Sequence, residues 1–172
     1  MPVQIRPLAA RSATTAADIE AVSQIAYATW PDTFRDILTA GQIDFMLAWL
    51  YATDRLYQQV QTGEHVIHLA ELDDVPVGFV AHQLDHPSPG TAKIHKLYLL
   101  PTQHGKGIGK MLLETVRHAA RAAGQHTLVL NVNKYNRAVD FYLANGLARV
   151  GEEVIDIGSG YVMDDYIMGS AL

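Results

Sequence analysis

The chain of 172 residues is long enough for one domain with a substantial core, and its 49% apolar composition is typical of a globular protein. It has no cysteine, which excludes disulfides, zinc ribbons and a cysteine nucleophile and fits a cytoplasmic location. The longest apolar run, at 45–52, is too short to span a bilayer, and no charged-then-apolar leader opens the sequence.

The net charge of −5 is divided unevenly along the chain. Residues 1–92 carry four basic and eleven acidic side chains, whereas residues 93–172 carry nine basic and seven acidic ones. Within 93–137 there are eight basic residues and a single acid, Glu114. A basic segment favours a polyanionic cofactor and an acidic half favours a cationic substrate, although solvated helix faces would give the same division. Nucleic acid is disfavoured, since the chain is acidic overall and its basic stretch lacks interleaved aromatics.

The first half predicts strands on either side of a helical region. In chain order we expect a strand at 3–8, a helix from Thr14 or Thr15 to about Trp30, helices at 42–51 and 53–61, and strands at 66–72, 75–84 and 92–100. Pro31-Asp32 is expected to interrupt the first helix, because proline has no backbone N–H. Gly63 is expected to close the third helix, and Asp73-Asp74 predicts a hairpin.

The second half contains the clearest helical pattern. From about residue 107, apolar side chains recur at a spacing of three and four residues and form one buried face, and Gly124 can end the helix. After it we expect a strand at 127–132, a short helix at 136–145 ended by Gly146, and strands at 147–157 and 161–168.

The segment HGKGIGK at 104–110 lies between the fourth strand and this helix. A glycine-rich turn that enters a helix exposes backbone N–H groups which can bind a phosphate, and Lys106 and Lys110 add positive charge. It is not a Walker loop, because Met111 follows Gly109-Lys110, and it lacks the G-x-G-x-x-G spacing of a dinucleotide-binding turn. We interpret it as an anion cradle, with an ordinary tight turn as the alternative.

Two motifs, KLYLLPTQHGKGIGK at 96–110 and NKYNRAVDFYLANGL at 133–147, resemble the GNAT superfamily of acetyl-CoA-dependent N-acetyltransferases. The resemblance implies an α/β (α+β) fold, with a mixed, mostly antiparallel sheet of six to seven strands flanked by helices. Strands four and five would splay around acyl-CoA, and residues 1–172 would form one N-acetyltransferase domain. The sequence departs from the family pattern at His104, usually arginine or glutamine, and at Leu147, usually phenylalanine.

The resemblance also implies which residues hold acetyl-CoA. Tyr142 matches the tyrosine that protonates the departing thiolate as general acid, although helical spacing alone would make it a core aromatic. Asn136 matches a cofactor-contacting asparagine but could equally be an N-cap, and Lys134 and Arg137 could reach the 3′-phosphate or simply be solvated. The implied cofactor-binding set is Leu97, Tyr98, Leu99, His104, Gly105, Lys106, Gly107, Ile108, Gly109, Lys110, Asn131, Asn136, Arg137 and Tyr142, and the backbone N–H of Leu99 or Leu100 would bind the thioester carbonyl.

His95 lies on the fourth strand, where many relatives place a glutamate that accepts the substrate's proton. An imidazole titrates near neutrality, so His95 could be the general base, and a packed, hydrogen-bonded histidine is the alternative. Strand alternation predicts that His95 shares a face with Lys93, Leu97 and Leu99. The other histidines show no recognised metal-ligand spacing, so no metal site is expected.

Three further segments, at 29–36, 94–99 and 165–168, resemble bacterial spermidine/spermine acetyltransferases of the PaiA type. They imply transfer of an acetyl group to a primary amine by direct attack, with a small cationic amine such as a polyamine as acceptor. The acceptor-binding candidates are Trp30, Asp32, Thr33 and Phe34, which could instead be a helix end packed on the core. The alternatives are a protein or peptide N-acetyltransferase and a non-catalytic acetyl-CoA-sensing regulator. We expect a monomer or homodimer that binds neither nucleic acid nor membrane.

Overall fold

The computed structural model of the protein describes residues 2–8 and 16–172. Seven strands and five α-helices follow one another in these residues. Their bounds are β1 Gln4–Leu8, α1 Ala16–Phe34, α2 Ala40–Leu50, α3 Thr53–Gln61, β2 Val66–Leu72, β3 Val75–Gln83, β4 Thr91–Leu99, α4 Ile108–Ala122, β5 Thr127–Asn133, α5 Ala138–Ala144, β6 Ala148–Gly158 and β7 Tyr161–Ala171. A 3₁₀ turn, Pro101–Gln103, links β4 to the glycine-rich loop.

The strands form one sheet in the order β1-β2-β3-β4-β5-β7-β6. All neighbouring strands are antiparallel except β4 and β5, which are parallel. The β4–β5 ladder pairs Thr91–Ile94 with Thr127–Leu130, and beyond these residues the two strands no longer pair with each other, although β4 still pairs with β3 and β5 with β7. We call the opening between residues 95–99 of β4 and 131–133 of β5 the β4–β5 cleft. The expected mixed sheet with splayed strands four and five is confirmed.

Helices cover the two faces of the sheet, and each face has its own apolar core. On the α4–α5 face, Ile108, Leu112 and Val116 of α4 and Val139 and Tyr142 of α5 pack on the strands. On the α1–α3 face, side chains of the first three helices pack on β2 and β3, with Trp30, Met46, Leu56, Ile67 and Phe79 among them. The β4–β5 cleft therefore opens between two separately packed layers.

The first helix continues through Pro31, so the expected interruption there is wrong. α1 runs to Phe34 with Pro31 inside it. The proline ring removes the hydrogen bond to the carbonyl of Tyr27, and both residues are exposed, so water can hydrate that carbonyl at low cost. The expected caps Thr14 and Thr15 lie outside the described residues.

The remaining helix and strand predictions agree with the structure to within two residues at most ends. Asp73 and Asp74 form the hairpin turn with φ values of 53° and 62°, and Gly63 follows α3 with a φ of 73°. Leu147, which replaces the family's usual phenylalanine, is buried in the α4–α5 core. None of the helices in the described residues is long and apolar enough to span a membrane.

A β-bulge at His95 overturns the predicted face of that residue. Ala81 of β3 pairs with Lys96 while the adjacent His82 pairs with Ile94, so His95 is an extra residue in β4. Leu97 and Leu99 consequently pack against the α4–α5 core, whereas His95 stacks on His65 instead. The expectation that His95 shares a face with Leu97 and Leu99 is wrong, because an unbroken two-residue period does not survive a bulge.

Candidate active site

The glycine-rich loop adopts a backbone that requires glycine at two positions. Gly105 and Gly107 have φ values of 76° and 79°, in the left-handed region that other residues enter only with strain. A Cβ atom at either position would meet open space, so the backbone conformation rather than crowding selects glycine. Gly109 differs, because a Cβ there would lie 3.4 Å from the Phe141 ring.

The loop presents a continuous run of unpaired backbone donors. The N-cap of α4 is Gly107, which supplies no side-chain acceptor, and the first backbone hydrogen bond of the helix is from Met111 N–H to the Gly107 carbonyl. Within the described part of the chain, the N–H groups of residues 105–110 have no partner. Such a run at a helix N-terminus fits a phosphate or pyrophosphate, and the exposed Lys106 and Lys110 add charge beside it.

His104 closes the loop onto the end of β4. Its Nε2–H donates to the Leu99 carbonyl at 3.1 Å, and the Thr29 hydroxyl lies 3.4 Å from the same oxygen. The imidazole therefore fixes the turn between the strand and the loop, and the position of Leu99 at the cleft depends on it. Lys106 donates to Gln103 at 3.0 Å within the same turn.

Two tyrosines approach each other across the cleft from opposite layers. Tyr142 belongs to the α4–α5 core, and Tyr98 of β4 packs against the α1–α3 core. Burial alone raises the pKa of Tyr142, and burial followed by the neighbouring Tyr142 raises the pKa of Tyr98. Tyr142 therefore keeps its proton at neutral pH and can donate it, as a general acid must.

Side chains beyond the loop make contacts of their own. The Asn136 side chain accepts from Ala138 N–H at 2.9 Å, which is the capping geometry, while Arg137 is exposed. Lys134 is held by Glu152 and Asp164, each at 2.8 Å, rather than free to meet a phosphate. The Asn131 amide donates to Glu153 at 3.0 Å on the cleft-facing edge of β5. These contacts favour the capping role for Asn136.

His95 is part of a histidine cluster on the α1–α3 side. Its ring stacks on His65 with centroids 4.4 Å apart, the His86 centroid lies 5.5 Å away, and Nε2 lies 2.9 Å from Gln83 Oε1. With Nε2–H donating to Gln83, Nδ1 is the nitrogen left to accept a proton. Burial first, and then the neighbouring His65, lowers the pKa of His95 to about 3. The ring is neutral at pH 7, and its contacts are those of a packed histidine.

The expected acceptor-binding residues at the end of α1 divide into two kinds. Trp30 and Phe34 are buried in the α1–α3 core with ring centroids 4.5 Å apart, and Trp30 Nε1 donates to the Tyr51 hydroxyl at 3.2 Å. Asp32 is exposed and pairs with Arg35. The Trp30 ring also lies 5.9 Å from the Tyr98 ring, so it supports the wall of the cleft from behind.

Four of the five acidic side chains of the first three helices face solvent, whereas the fifth, Asp18, is buried and pairs with Arg6 at 2.5 Å. Exposed residues of this kind are Glu20, Asp32, Asp44 and Asp54. The division of charge between the halves of the chain therefore produces a field around the molecule rather than a lining of the cleft.

One acidic residue for which the sequence predicted no role, although it begins the PaiA-like segment at 165–168, faces the cleft region. Asp165 of β7 is 2% exposed, and burial raises its pKa to about 6. It interacts with Asn131 of β5 and with Tyr98 of β4, on the α1–α3 side. In the sequence it is one of two adjacent aspartates in a strand, and nothing local distinguishes the buried one.

Comparison with known proteins identifies the class to which this fold and site belong. The sequence profile described as the Acetyltransferase (GNAT) family matches residues 22–147, which include the cleft, the glycine-rich loop and Tyr142. The chain therefore belongs to the GNAT family and is an acetyl-CoA-dependent N-acetyltransferase. The predicted family, fold, type of enzyme and cofactor are confirmed.

The individual proteins that resemble this chain share less than a quarter of their residues with it. An uncharacterized N-acetyltransferase in the pepI 3′ region of Lactobacillus delbrueckii subsp. lactis is 24% identical over 161 residues, 90% of this chain and 92% of that protein. The crystal structure of PaiA N-acetyltransferase from Thermoplasma acidophilum in complex with coenzyme A has a TM-score of 0.80 and 24% identity over the whole of both chains. The ribosomal-protein-S18-alanine N-acetyltransferase of Escherichia coli has a TM-score of 0.70 and 16% identity, covering 99% of this chain and 94% of that one. At these identities the structural neighbours establish the shared fold.

Proposed function

We propose that this enzyme, as one domain over residues 1–172 in the cytoplasm, acetylates a primary amine of a small cationic acceptor, with polyamines as the leading class. The observation that carries the chemistry is the meeting of three features at the β4–β5 cleft. These are the unpaired N–H groups of residues 105–110, the unpaired edge of β4 and the buried, protonated Tyr142.

The residues of the loop fit the cofactor. The N–H groups of residues 105–110 would hold the pyrophosphate, with Lys106 and Lys110 beside it. The open edge of β4, at residues 97–99, offers backbone groups to the pantetheine arm and to the thioester carbonyl, where an N–H stabilises developing negative charge. Acetyl-CoA supplies the acetyl group as a thioester, which a neutral amine attacks directly.

Tyr142 holds the proton that the reaction needs on the leaving side. The phenol gives this proton to the sulfur as the carbon–sulfur bond breaks and the carbon–nitrogen bond forms. The nitrogen loses one proton in the same reaction, either to water or to a protein base. The phenolate that remains then regains its proton, so the enzyme ends as it began.

His95 is the base that the family resemblance implies, and the accepting atom would be Nδ1. Its low pKa makes it a weak base, which suits relay through a water better than direct and lasting protonation. Measuring the His95→Gln variant decides between this role and that of a packed histidine.

The proposed acceptor class is supported by two observations. The segments at 29–36, 94–99 and 165–168 resemble PaiA-type acetyltransferases. The exposed acids of α1–α3 give the acceptor side of the molecule a negative field, which raises the local concentration of cationic amines.

The experiment is to measure CoA release from acetyl-CoA with a panel of spermidine, spermine, amino acids, aminoglycosides and N-terminal peptides, with product masses determined in parallel. We expect turnover selective for polyamines. Selective turnover of peptides would replace the proposed acceptor class with a protein amine. Binding of acetyl-CoA without transfer to any amine would instead support a sensing role.

A further inference from the structure

Asp165 is an almost fully buried carboxylate with an oxygen that nothing satisfies. Its relative exposure is 2%, and Oδ2 has no hydrogen-bond partner among the described residues. A buried carboxylate is normally paired with a cation or bonded through both oxygens, because its desolvation is costly. Asp165 is therefore an incomplete site rather than a finished structural contact.

The groups around Asp165 do not complete it. The neighbouring Asn131 of β5 lowers the pKa of the carboxyl, but its amide donates to Glu153 at 3.0 Å, and the charges of Glu153 of β6 and the adjacent Asp164 raise that pKa. Lys93 of β4 is the one cation that acts on it, and the two form no ion pair within the part of the chain described here. The local field thus remains negative and favours the arrival of a positively charged group.

Asp165 lies on the side of the cleft opposite Tyr142. On β7 it follows Met163 by two residues, so the two share a face, and Met163 packs against the α1–α3 core. Tyr98 of β4, which packs on the same core, is close enough that the Asp165 charge raises the pKa of the phenol. Asp165 therefore faces the splayed end of β4 from across the cleft.

Gln42 of α2 donates to the Val162 carbonyl at 2.8 Å, and the Phe45 and Tyr161 rings lie 5.4 Å apart. These contacts hold α2 over the start of β7, and Asp165 is further along the strand. Since Tyr142 approaches the cleft from the α4–α5 face, an amine that attacked from the opposite side would do so on the face of the sheet that carries Asp165.

We propose that Asp165 anchors a positively charged nitrogen of the acceptor amine on the α1–α3 side of the β4–β5 cleft. This inference rests on the proposed function and extends it by naming the residue that selects a cationic acceptor. An ammonium group supplies the donor that Oδ2 lacks and cancels the buried charge. An uncharged acceptor would leave that charge uncompensated.

The test compares Asp165→Asn with the matched control Asp164→Asn. Both variants remove one carboxylate from adjacent positions of β7, but Asp164 faces Lys134 and is 39% exposed at its side chain. Spermidine binding to the complex with CoA is measured by calorimetry, and KM and kcat are measured with spermidine and acetyl-CoA. CoA affinity and thermal unfolding show that each variant is folded, and Asp165→Ser is a second variant at the same position.

We expect Asp165→Asn and Asp165→Ser to weaken spermidine binding and raise its KM by about ten- to a hundredfold, the effect of a lost hydrogen bond to a charged group. CoA affinity should not change, and Asp164→Asn should shift the KM by no more than about twofold. Lowering the pH through about 6 should raise the wild-type KM, because protonation removes the Asp165 charge, and this rise should be absent from Asp165→Asn.

The outcomes separate this inference from the proposed function. An active wild type whose spermidine KM and binding are the same in Asp165→Asn overturns the role of Asp165 and leaves the acetyltransferase proposal standing. If the wild type acetylates a different cationic amine, the KM for that amine is measured in Asp165→Asn and Asp164→Asn. A rise in Asp165→Asn alone supports the role of Asp165, and an unchanged KM overturns it. If the wild type neither binds nor acetylates any cationic amine in the presence of CoA, both proposals fail.

Discussion

The two sides of the β4–β5 cleft present different chemical groups, backbone N–H groups on one side and side chains on the other. On the loop side, the proposed cofactor site is formed by the backbone, with N–H groups of residues 105–110 aligned by two left-handed glycines and a helix. On the α1–α3 side, the important groups are side chains brought together by long-range packing: Tyr98, His95 and Asp165, from two different strands. A site formed by backbone N–H groups keeps its ligand contacts when most side chains change. A site formed by side chains can change its ligand preference through a single substitution.

This difference teaches where each kind of specificity resides. All acceptors share one acetyl donor, so the donor site needs only glycine conformation and a helix N-terminus. The acceptor must be distinguished from other amines, and in our proposal its site does so with the buried charge of Asp165, which carries a desolvation cost until a partner arrives. Substitutions in the loop should accordingly change the Kd for CoA, and substitution of Asp165 should change the KM for the amine.

The largest effect should come from Tyr142, the proposed proton donor to the sulfur. Tyr142→Phe removes the proton donor while keeping the buried ring, so we expect kcat to fall by about 10²–10⁴-fold with unchanged acetyl-CoA affinity. The control is Tyr135→Phe, since Tyr135 is 75% exposed. Steady-state thiol release and equilibrium binding give the two quantities. An unchanged kcat at every pH would show that Tyr142 is only a core aromatic.

A second substitution sharpens the acceptor side. If His95 accepts the amine's proton through Nδ1, His95→Gln should lower kcat/KM by about 10²-fold, whereas His86→Gln, from the same cluster, should have little effect. Rate measurements over pH 6–9 check this, since a base also changes the pH profile. Equal rates in both variants would assign His95 to packing alone.

A smaller effect is expected from the backbone of the cofactor side. Gly107→Ala forces an alanine into a φ of 79°, which costs roughly 1–2 kcal/mol, and relief of that strain distorts the loop. We expect the Kd for CoA to rise by about five- to thirtyfold. Gly63→Ala is the matched control, with a φ of 73° and equally open surroundings after α3. It should lose similar stability, and a similar loss of CoA affinity in this control would contradict the account.

The effect farthest from the chemistry of the cleft concerns the pH dependence of stability. Burial lowers the pKa of His65 to about 3 and of His82 to about 4, so the unfolded chain binds these protons more tightly than the folded protein does. The free energy of unfolding should therefore fall as the pH drops below about 6.5, by up to about 1.4 kcal/mol per pH unit for each group. The raised pKa of Asp165 acts in the opposite sense, because it increases the free energy of unfolding as the pH falls, but it is one group against several buried histidines.

Denaturant unfolding between pH 7.5 and 4.5 measures this slope. His82 stacks on His68 with centroids 5.6 Å apart. The substitution His82→Phe should reduce the slope by the contribution of up to one bound proton. His118→Gln, on the exposed face of α4, should leave the slope unchanged. An identical slope in the His82 variant would contradict the prediction.

The same contrast explains what the sequence could predict. The glycine-rich loop, the apolar face of α4 and the Asp73-Asp74 hairpin depend on neighbouring residues, and the patterns at those positions predicted the structure correctly. A motif that spans one helix correctly placed Tyr142 in α5, and the role of Tyr142 as proton donor stays a prediction. These features are local, so a single sequence contains the information that specifies them.

The errors arose where distant segments decide the structure. The bulge at His95 is created by the register with β3, and the continuation of α1 through Pro31 depends on which face of the helix is exposed. Asp164 and Asp165 are chemically identical neighbours, and only the packing of β5, β6 and α2 around β7 buries one and exposes the other. No short-range pattern contains that distinction.

The most direct measurement of the account is a competition. Limiting acetyl-CoA is incubated with the enzyme and equal concentrations of spermidine, an alanine-terminated peptide and a hydroxyalkyl amide whose only ionisable group is one primary amine, and the acetylated products are quantified by mass. The product ratio equals the ratio of kcat/KM values. We predict acetylspermidine as the dominant product from the wild type, with its share falling in Asp165→Asn but not in Asp164→Asn. Equal acetylation of all three amines, or a dominant peptide product, would contradict the account.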